Sequence, residues 1–178
     1  GAVDGDGLLV AGDQQRQRTL EAAVPLQMGD WVGGRSAHMG FSPVVPANSR
    51  HVMDQLKRSR KIIADHDVDF YASFTIGRRF ANNINMLMYD RDNQAQVEST
   101  KNLFNALVSE SAKAGYAEYR THLGWMDAVA DTFDFNNHAQ RRLNEKVKDA
   151  IDPNGIIAPG KQGVWPSVYR DLAKEGRA

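Results

Sequence analysis

Between Ser36 and His122 the apolar residues change their spacing from two to about 3.6 and back, and the order of those changes leaves few folds open. Ala37–Phe41 predicts a short strand, stopped by Ser42-Pro43 and Pro46. Asn48 or Ser49 can cap a helix carrying Val52, Leu56 and Ile63, with Met53 and Ile62 widening its apolar face. Asp69–Gly77 alternates: Phe70, Ala72, Phe74 and Ile76 fall on one side, and Tyr71, Ser73 and Thr75 on the other, the pattern of a half-buried strand. Ile84–Tyr89 predicts a further strand, with Ile84, Met86 and Met88 on one face, and Asp90–Asn93 turns the chain. Val97, Phe104, Leu107, Val108 and Ser111 are spaced for one face of a helix over Gln94–Lys113, ended by Gly115. Tyr116–His122 then predicts a last strand. The order β-α-β-β-α-β is the ferredoxin-like split arrangement, an α+β fold with an antiparallel sheet and helices on one face.

The flanks differ from this body. Residues 1–35 are punctuated by glycines and read as loops, with at most one short helix near Gln14–Ala23. After Leu123 the pattern is helical. Trp125, Met126, Val129, Ala130 and Phe133 share one stripe, while Ala139, Leu143, Val147 and Ile151 share another, broken by Asp152-Pro153-Asn154-Gly155. The tail over Ile156–Tyr169 presents Ile156, Ile157, Val164 and Trp165 with no obvious surface in the chain to lie on. The chain begins at Gly1 rather than Met, which predicts a processed or excised piece of something longer.

Several classes of function are disfavoured. Lys plus Arg (22) balance Asp plus Glu (22), so no net field draws the chain to nucleic acid or anionic lipid. No apolar run approaches the ~20 residues that a membrane helix needs. Cysteine is absent, which excludes thiolate metal sites and fits a reducing compartment, so a cytoplasmic location is expected, with the periplasm as the alternative. His38, His51, His66, His122 and His138 show no metal-ligand spacing, and no bound metal is expected. Dinucleotide, Walker, zincin and nucleophile-elbow motifs are also missing.

What chemistry remains is ambiguous on spacing alone. His38 lies among small residues, in Gly33-Gly34-Arg35-Ser36-Ala37-His38-Met39-Gly40-Phe41, where glycine permits close approach of another group; its plain reading is a strand-start histidine bonded to backbone. Tyr119 and Arg120, within Glu118-Tyr119-Arg120-Thr121-His122, could hold an anion between a phenol and a planar guanidinium, or form the solvated side of an edge strand. Asn82 and Asn83, after Arg78-Arg79, read as turn residues.

Taken together, several segments resemble the vanillyl-alcohol oxidase / 4-cresol dehydrogenase family of flavoproteins, and they run in that family's order. They are His38 with Phe41-Ser42-Pro43, Phe74-Thr75-Ile76-Gly77, Glu118-Tyr119-Arg120-Thr121-His122-Leu123, and Asp152-Pro153-Asn154-Gly155-Ile156-Ile157-Ala158-Pro159-Gly160-Lys161 followed by Gly163-Val164-Trp165-Pro166. The resemblance covers about Ser36–Tyr169. It implies that residues 1–115 are the substrate cap and that residues 116–178 complete an FAD-binding domain whose N-terminal part lies in a preceding segment or a separate chain.

The resemblance also implies a chemistry: oxidation of a para-substituted phenol by hydride transfer to FAD through a quinone methide. FAD would be covalent through His38, Tyr119 and Arg120 would hold the phenolate, and Arg120 and Lys161 would contact the flavin. Gly40, Asn82 and Ile84 would line the substrate pocket, with glycine at 40 leaving room for a larger para substituent. A homo-oligomer is expected, with oxygen or a cytochrome taking the electrons. Two alternatives stay open: a covalent flavin enzyme acting on another alcohol, and a non-catalytic ferredoxin-like binding module.

Overall fold

A computed structural model describes residues 35–175. The loops and short helix expected before Arg35 lie outside the described residues. From Ser36 the strands and helices follow the expected order: β1 (Ser36–Phe41), β2 (Pro43–Pro46), α1 (Ser49–Ala64), β3 (Ala72–Ile76), β4 (Phe80–Asp90), α2 (Gln94–Lys113) and β5 (Ala117–Glu118). β1 and β2 form one run against β4, from Ser36↔Asp90 through Phe41↔Asn85 to Pro46↔Phe80, in a single antiparallel register. β3 pairs with the other edge of β4, and β5 with β2. The sheet is therefore antiparallel, with the first and third segments of the β-α-β-β-α-β unit at its centre, as a ferredoxin-like fold requires.

Alternation assigns the faces. Met39, Phe41 and Leu87 point to the side where Ile63 of α1 and Leu103, Phe104 and Leu107 of α2 complete a core. Each of these fully buried side chains contributes about 1.5–3 kcal/mol of apolar transfer. A second, smaller cluster joins Val45, Ala81 and Tyr116 near the β5 end. Asn48 caps α1 by accepting from the Arg50 N–H, and Asn93 caps α2 by accepting from the Ala95 and Gln96 N–H groups. Gly115, at φ +80°, takes the left-handed position that ends α2.

Four local expectations need correction. The fully buried positions of α1 are Gln55, Ser59 and Ile63; Val52 and Ile62 pack half-buried against the two clusters, and Leu56 is only half-buried. A polar network runs beside the apolar residues: the Gln55 amide donates to Ser59 Oγ (3.0 Å) and Ser111 Oγ (3.1 Å), and Ser59 donates to Asn83 Oδ1 (3.3 Å). Asn82 and Asn83 are not turn residues but lie inside β4, buried. Ser42-Pro43 does end β1 at Phe41 as expected, but not the pairing: β2 takes up the same register against β4 from Val44 on, with Pro43 contributing no donor. The last strand is only Ala117–Glu118, for a reason given with the site.

The C-terminal part follows as a 3-10 turn at Leu123–Trp125, α3 (Met126–Asp131), α4 (Phe135–Ile151), further 3-10 turns at Lys161–Gly163 and Ser167–Tyr169, and α5 (Arg170–Glu175). Trp125 packs against Phe104 with the rings tilted by 49° and 4.8 Å between centroids, and it donates to Asn105 Oδ1, fastening this part to α2. Val164 and Trp165 do find a surface in the chain: Trp165 Nε1 donates to Asp127 Oδ1 at 2.9 Å, against α3. Asp152 is buried and organises the turn after α4, pairing with Lys148 Nζ (2.7 Å) and accepting from the Ile156 and Ile157 N–H groups. The Lys148 hydrogen bond, followed by those backbone donors, holds its carboxyl below the usual range against the opposing effect of burial. Leu143, Val147 and Ile151 of α4, with Ile156 and Ile157, remain exposed.

Candidate functional site

The face of the sheet turned away from α1 and α2 gathers most of the residues singled out from the sequence. His38 stands opposite Met88, Gly40 opposite Met86, Asn82 opposite Val44 and Thr75, and Ile84 opposite Ser73. Strand alternation puts all of them on the side away from α1 and α2. The His38 ring is exposed and makes no hydrogen bond among the described residues. A Cβ built on Gly40 meets nothing within 4 Å, which leaves free space two residues along the same strand.

Ser42 joins this face to the Tyr119–Arg120 segment. The next pair in the β2–β5 register would be Ser42 with Tyr119, and two such residues normally exchange both backbone bonds. Only one forms: Tyr119 N–H donates to Ser42 O at 3.4 Å. The Ser42 N–H instead donates to Glu118 Oε1 at 3.2 Å, and the Tyr119 carbonyl accepts from Gln162 Nε2 at 3.5 Å. The chain bends at Tyr119–Arg120, which is why the strand ends at Glu118. Asn82, with its amide turned so that nitrogen donates, reaches Ser42 O (3.1 Å) and Pro43 O (3.2 Å). One serine peptide thus ties together the strand of His38, the strand of Asn82 and the bend.

The bend frees its side chains. Tyr119 is 49% exposed, Arg120 is exposed, and neither makes a side-chain hydrogen bond or ion pair among the described residues. Lys161 is likewise exposed, in the turn whose next residue, Gln162, touches Tyr119. Behind the bend lies a cavity of about 320 Å³ lined by Glu118, Tyr119, Met126, Arg141, Asn144 and Gln162 among others. The structure therefore brings His38, Gly40, Asn82 and Ile84 onto one face and Tyr119 to its edge; Lys161 is linked to them only through its turn.

Glu118 is the residue that sequence reasoning missed. It is 6% exposed, its Oε2 has no partner among the described residues, and its pKa is pushed from 4.5 to about 8. Burial is the main cause; the Ser42 N–H and the Arg120 charge oppose it. The folded chain thus keeps a proton that the unfolded chain releases, and stability falls as pH rises from 4.5 to about 8. A strand this short carries no readable alternation, so nothing in the spacing marked Glu118 as inward.

The sequence pattern described as "FAD linked oxidases, C-terminal domain" matches residues 1–162. The chain belongs to that family. Within this FAD linked oxidase family it is 30% identical over 161 residues to the 4-cresol dehydrogenase [hydroxylating] flavoprotein subunit of Pseudomonas putida, covering 86% of this chain and 30% of that protein. Among solved structures it resembles 4-ethylphenol oxidase from Gulosibacter chungangensis in complex with isoeugenol, with a TM-score of 0.79 and 33% identity, covering 93% of this chain and 33% of that one. It also resembles p-cresol methylhydroxylase with substrate bound, with a TM-score of 0.73 and 30% identity, covering 79% of this chain and 26% of that one. The chain spans about a third of the length of these FAD linked oxidase relatives. Among the described residues no helix is long and apolar enough to cross a membrane, and no group of three His, Asp or Glu could hold a metal ion.

Proposed function

We propose that this chain is the substrate-facing portion of an FAD-dependent enzyme that oxidises para-substituted phenols. The observation that carries this reading is the shared sheet face: an uncommitted imidazole at His38, open space at Gly40, and an uncommitted phenol and guanidinium at Tyr119 and Arg120 at its edge. The names of the relatives, a 4-cresol dehydrogenase and a 4-ethylphenol oxidase, support the substrate class. Residues up to 115 serve as the cap over the substrate, and residues from 116 complete an FAD-binding domain. The exposed apolar stripe of Leu143, Val147 and Ile151 supports such a neighbour.

The residues fit a flavin of this kind. His38 would hold FAD covalently through its free imidazole, with Arg120 and Lys161 as cationic contacts. FAD supplies the acceptor for the hydride. Tyr119 and Arg120 bind the substrate as phenolate, the phenol hydroxyl by donation and the guanidinium by charge and donation. Phenolate charge moves through the ring toward the para carbon, so loss of hydride from the benzylic position leaves a neutral quinone methide. A fixed guanidinium selects the ionised phenol on which this depends. Asn82 and Ile84 border the pocket, and Asn82 also fixes the Ser42 peptide.

Two expected outcomes test this reading. Peptide mass mapping of the native protein is expected to find flavin on the peptide containing His38, and His38→Ala to abolish the attachment. Flavin retained on an unmodified His38 peptide would remove the covalent link, and a native protein without flavin would favour the binding-module alternative. Gly40→Phe should fold, because nothing lies within 4 Å of its Cβ, and should lower kcat/KM for a para-propenyl phenol about tenfold more than for a para-methyl phenol. Equal losses on both substrates would place Gly40 outside the pocket.

A further inference from the structure

The bend that exposes Tyr119 and Arg120 depends on a side chain standing in for backbone. In a regular ladder the Ser42 N–H would be taken by the Tyr119 carbonyl, and the strand would run on. Glu118 Oε1 takes that N–H, and the Tyr119 carbonyl is left to turn toward Gln162. Without the carboxyl the bend would leave a buried backbone donor unmet, since Ser42 is 3% exposed.

We propose that Glu118 is a positioning residue for Tyr119 and Arg120, tying the start of their bend to Ser42 while leaving Arg120 unpaired for the phenolate. This rests on the phenol-oxidising reading given above. The second half follows from charge. Arg120 is two residues away and attracts an ionised Glu118; a charged Glu118 would therefore compete with the substrate for the guanidinium. A neutral Glu118 does not compete, yet its Oε1 still accepts from Ser42. Burial keeps it neutral until about pH 8. The surrounding charges do not replace Arg120 in this role. Arg141 of α4, across the cavity, is held by Asp131 Oδ1 at 2.6 Å and by the Asp127 carbonyl of α3. Tyr119 is the remaining titratable neighbour in the cavity, and the β2 residues facing Glu118, Ser42 and Pro43, carry no charge.

The test uses the flavin-loaded, full-length enzyme and measures KM and kcat for a para-alkyl phenol from about pH 6 to about pH 10. Wild type should show KM rising through about pH 8, beyond the change that substrate ionisation gives every variant. Glu118→Gln keeps an uncharged acceptor; its KM at about pH 7 should stay within about threefold of wild type, and the extra rise should vanish. Glu118→Ala should raise KM about tenfold at the same pH. An infrared titration, independent of turnover, should show a protonated carboxyl band in wild type that is lost through about pH 8 and is absent from Glu118→Gln. If phenol is turned over but Glu118→Gln keeps the wild-type pH profile, or the band is missing, the positioning role falls and the phenol reading stands. If wild type turns over no phenol while the band is present, the phenol reading falls and takes the positioning role with it.

Discussion

Arg120→Ala is expected to lower kcat/KM for a para-substituted phenol by about 10²–10³, the range found when one preorganised charge donor is removed from an active site. The size follows from what Arg120 lacks. It has no ion pair or hydrogen bond among the described residues, whereas Arg141 and Arg170 are each held by carboxylates. Its charge is therefore available to a ligand and is not already spent on the fold. Tyr119→Phe removes one hydrogen bond from an uncharged donor to the phenolate and should cost less, about tenfold. Arg120→Lys should recover only part of the loss, because an ammonium lacks the planar fork of donors. Steady-state rates of the three variants, with flavin content checked for each, decide the matter. Phenol turnover surviving both Tyr119→Phe and Arg120→Ala would end the phenolate assignment.

A comparably large effect on stability is expected at Gly163. Its φ is +69°, and a Cβ there would lie 2.5 Å from Ala130 Cβ and 3.2 Å from the Met126 carbonyl, both fixed by α3. Neither neighbour can swing aside. Gly163→Ala should destabilise by about 2–4 kcal/mol, combining the left-handed penalty with overpacking. Gly115 is the control: its φ is +80°, but a Cβ meets nothing within 4 Å, so Gly115→Ala should cost only about 1 kcal/mol. Thermal unfolding of the full-length protein compares the two. Equal shifts in Tm would show that contact with α3 does not matter. The glycines of the motif over residues 152–166 thus have a packing role: Gly160 meets Trp165, and Gly155 meets Pro166, Val168 and Tyr169.

The order of the strands and the two helices on one face were legible because β1 and β4 alternate over a core built from Met39, Phe41, Leu87, Leu103 and Phe104. The errors share a cause. Counting apolar residues cannot see a helix that buries Gln55 and Ser59, nor a central strand that buries Asn83 and Asn85. Asparagine favours turns locally, but here tertiary hydrogen bonds from Ser59 and to Phe41 O override that preference. The short β5 was misread because the bend is set by the Glu118 carboxyl, a contact between residues 76 apart in sequence. His38, Tyr119 and Arg120 were ambiguous from spacing, and only the family resemblance singled them out. Their common setting on the face turned away from α1 and α2, and at its edge, is visible only once the register is known.

Along β4, positions with opposite duties alternate. Asn83, Asn85 and Leu87 face the helices and hold the strand in place, while Asn82, Ile84 and Met86 face the proposed pocket. Mutation can therefore reshape Ile84 or Met86 without disturbing the network that keeps the strand folded. A lineage carrying such a strand can drift from one ring substituent to another in single steps, each a viable protein. The same separation recommends Ile84 and Met86 as the first positions to randomise when a different phenol is wanted.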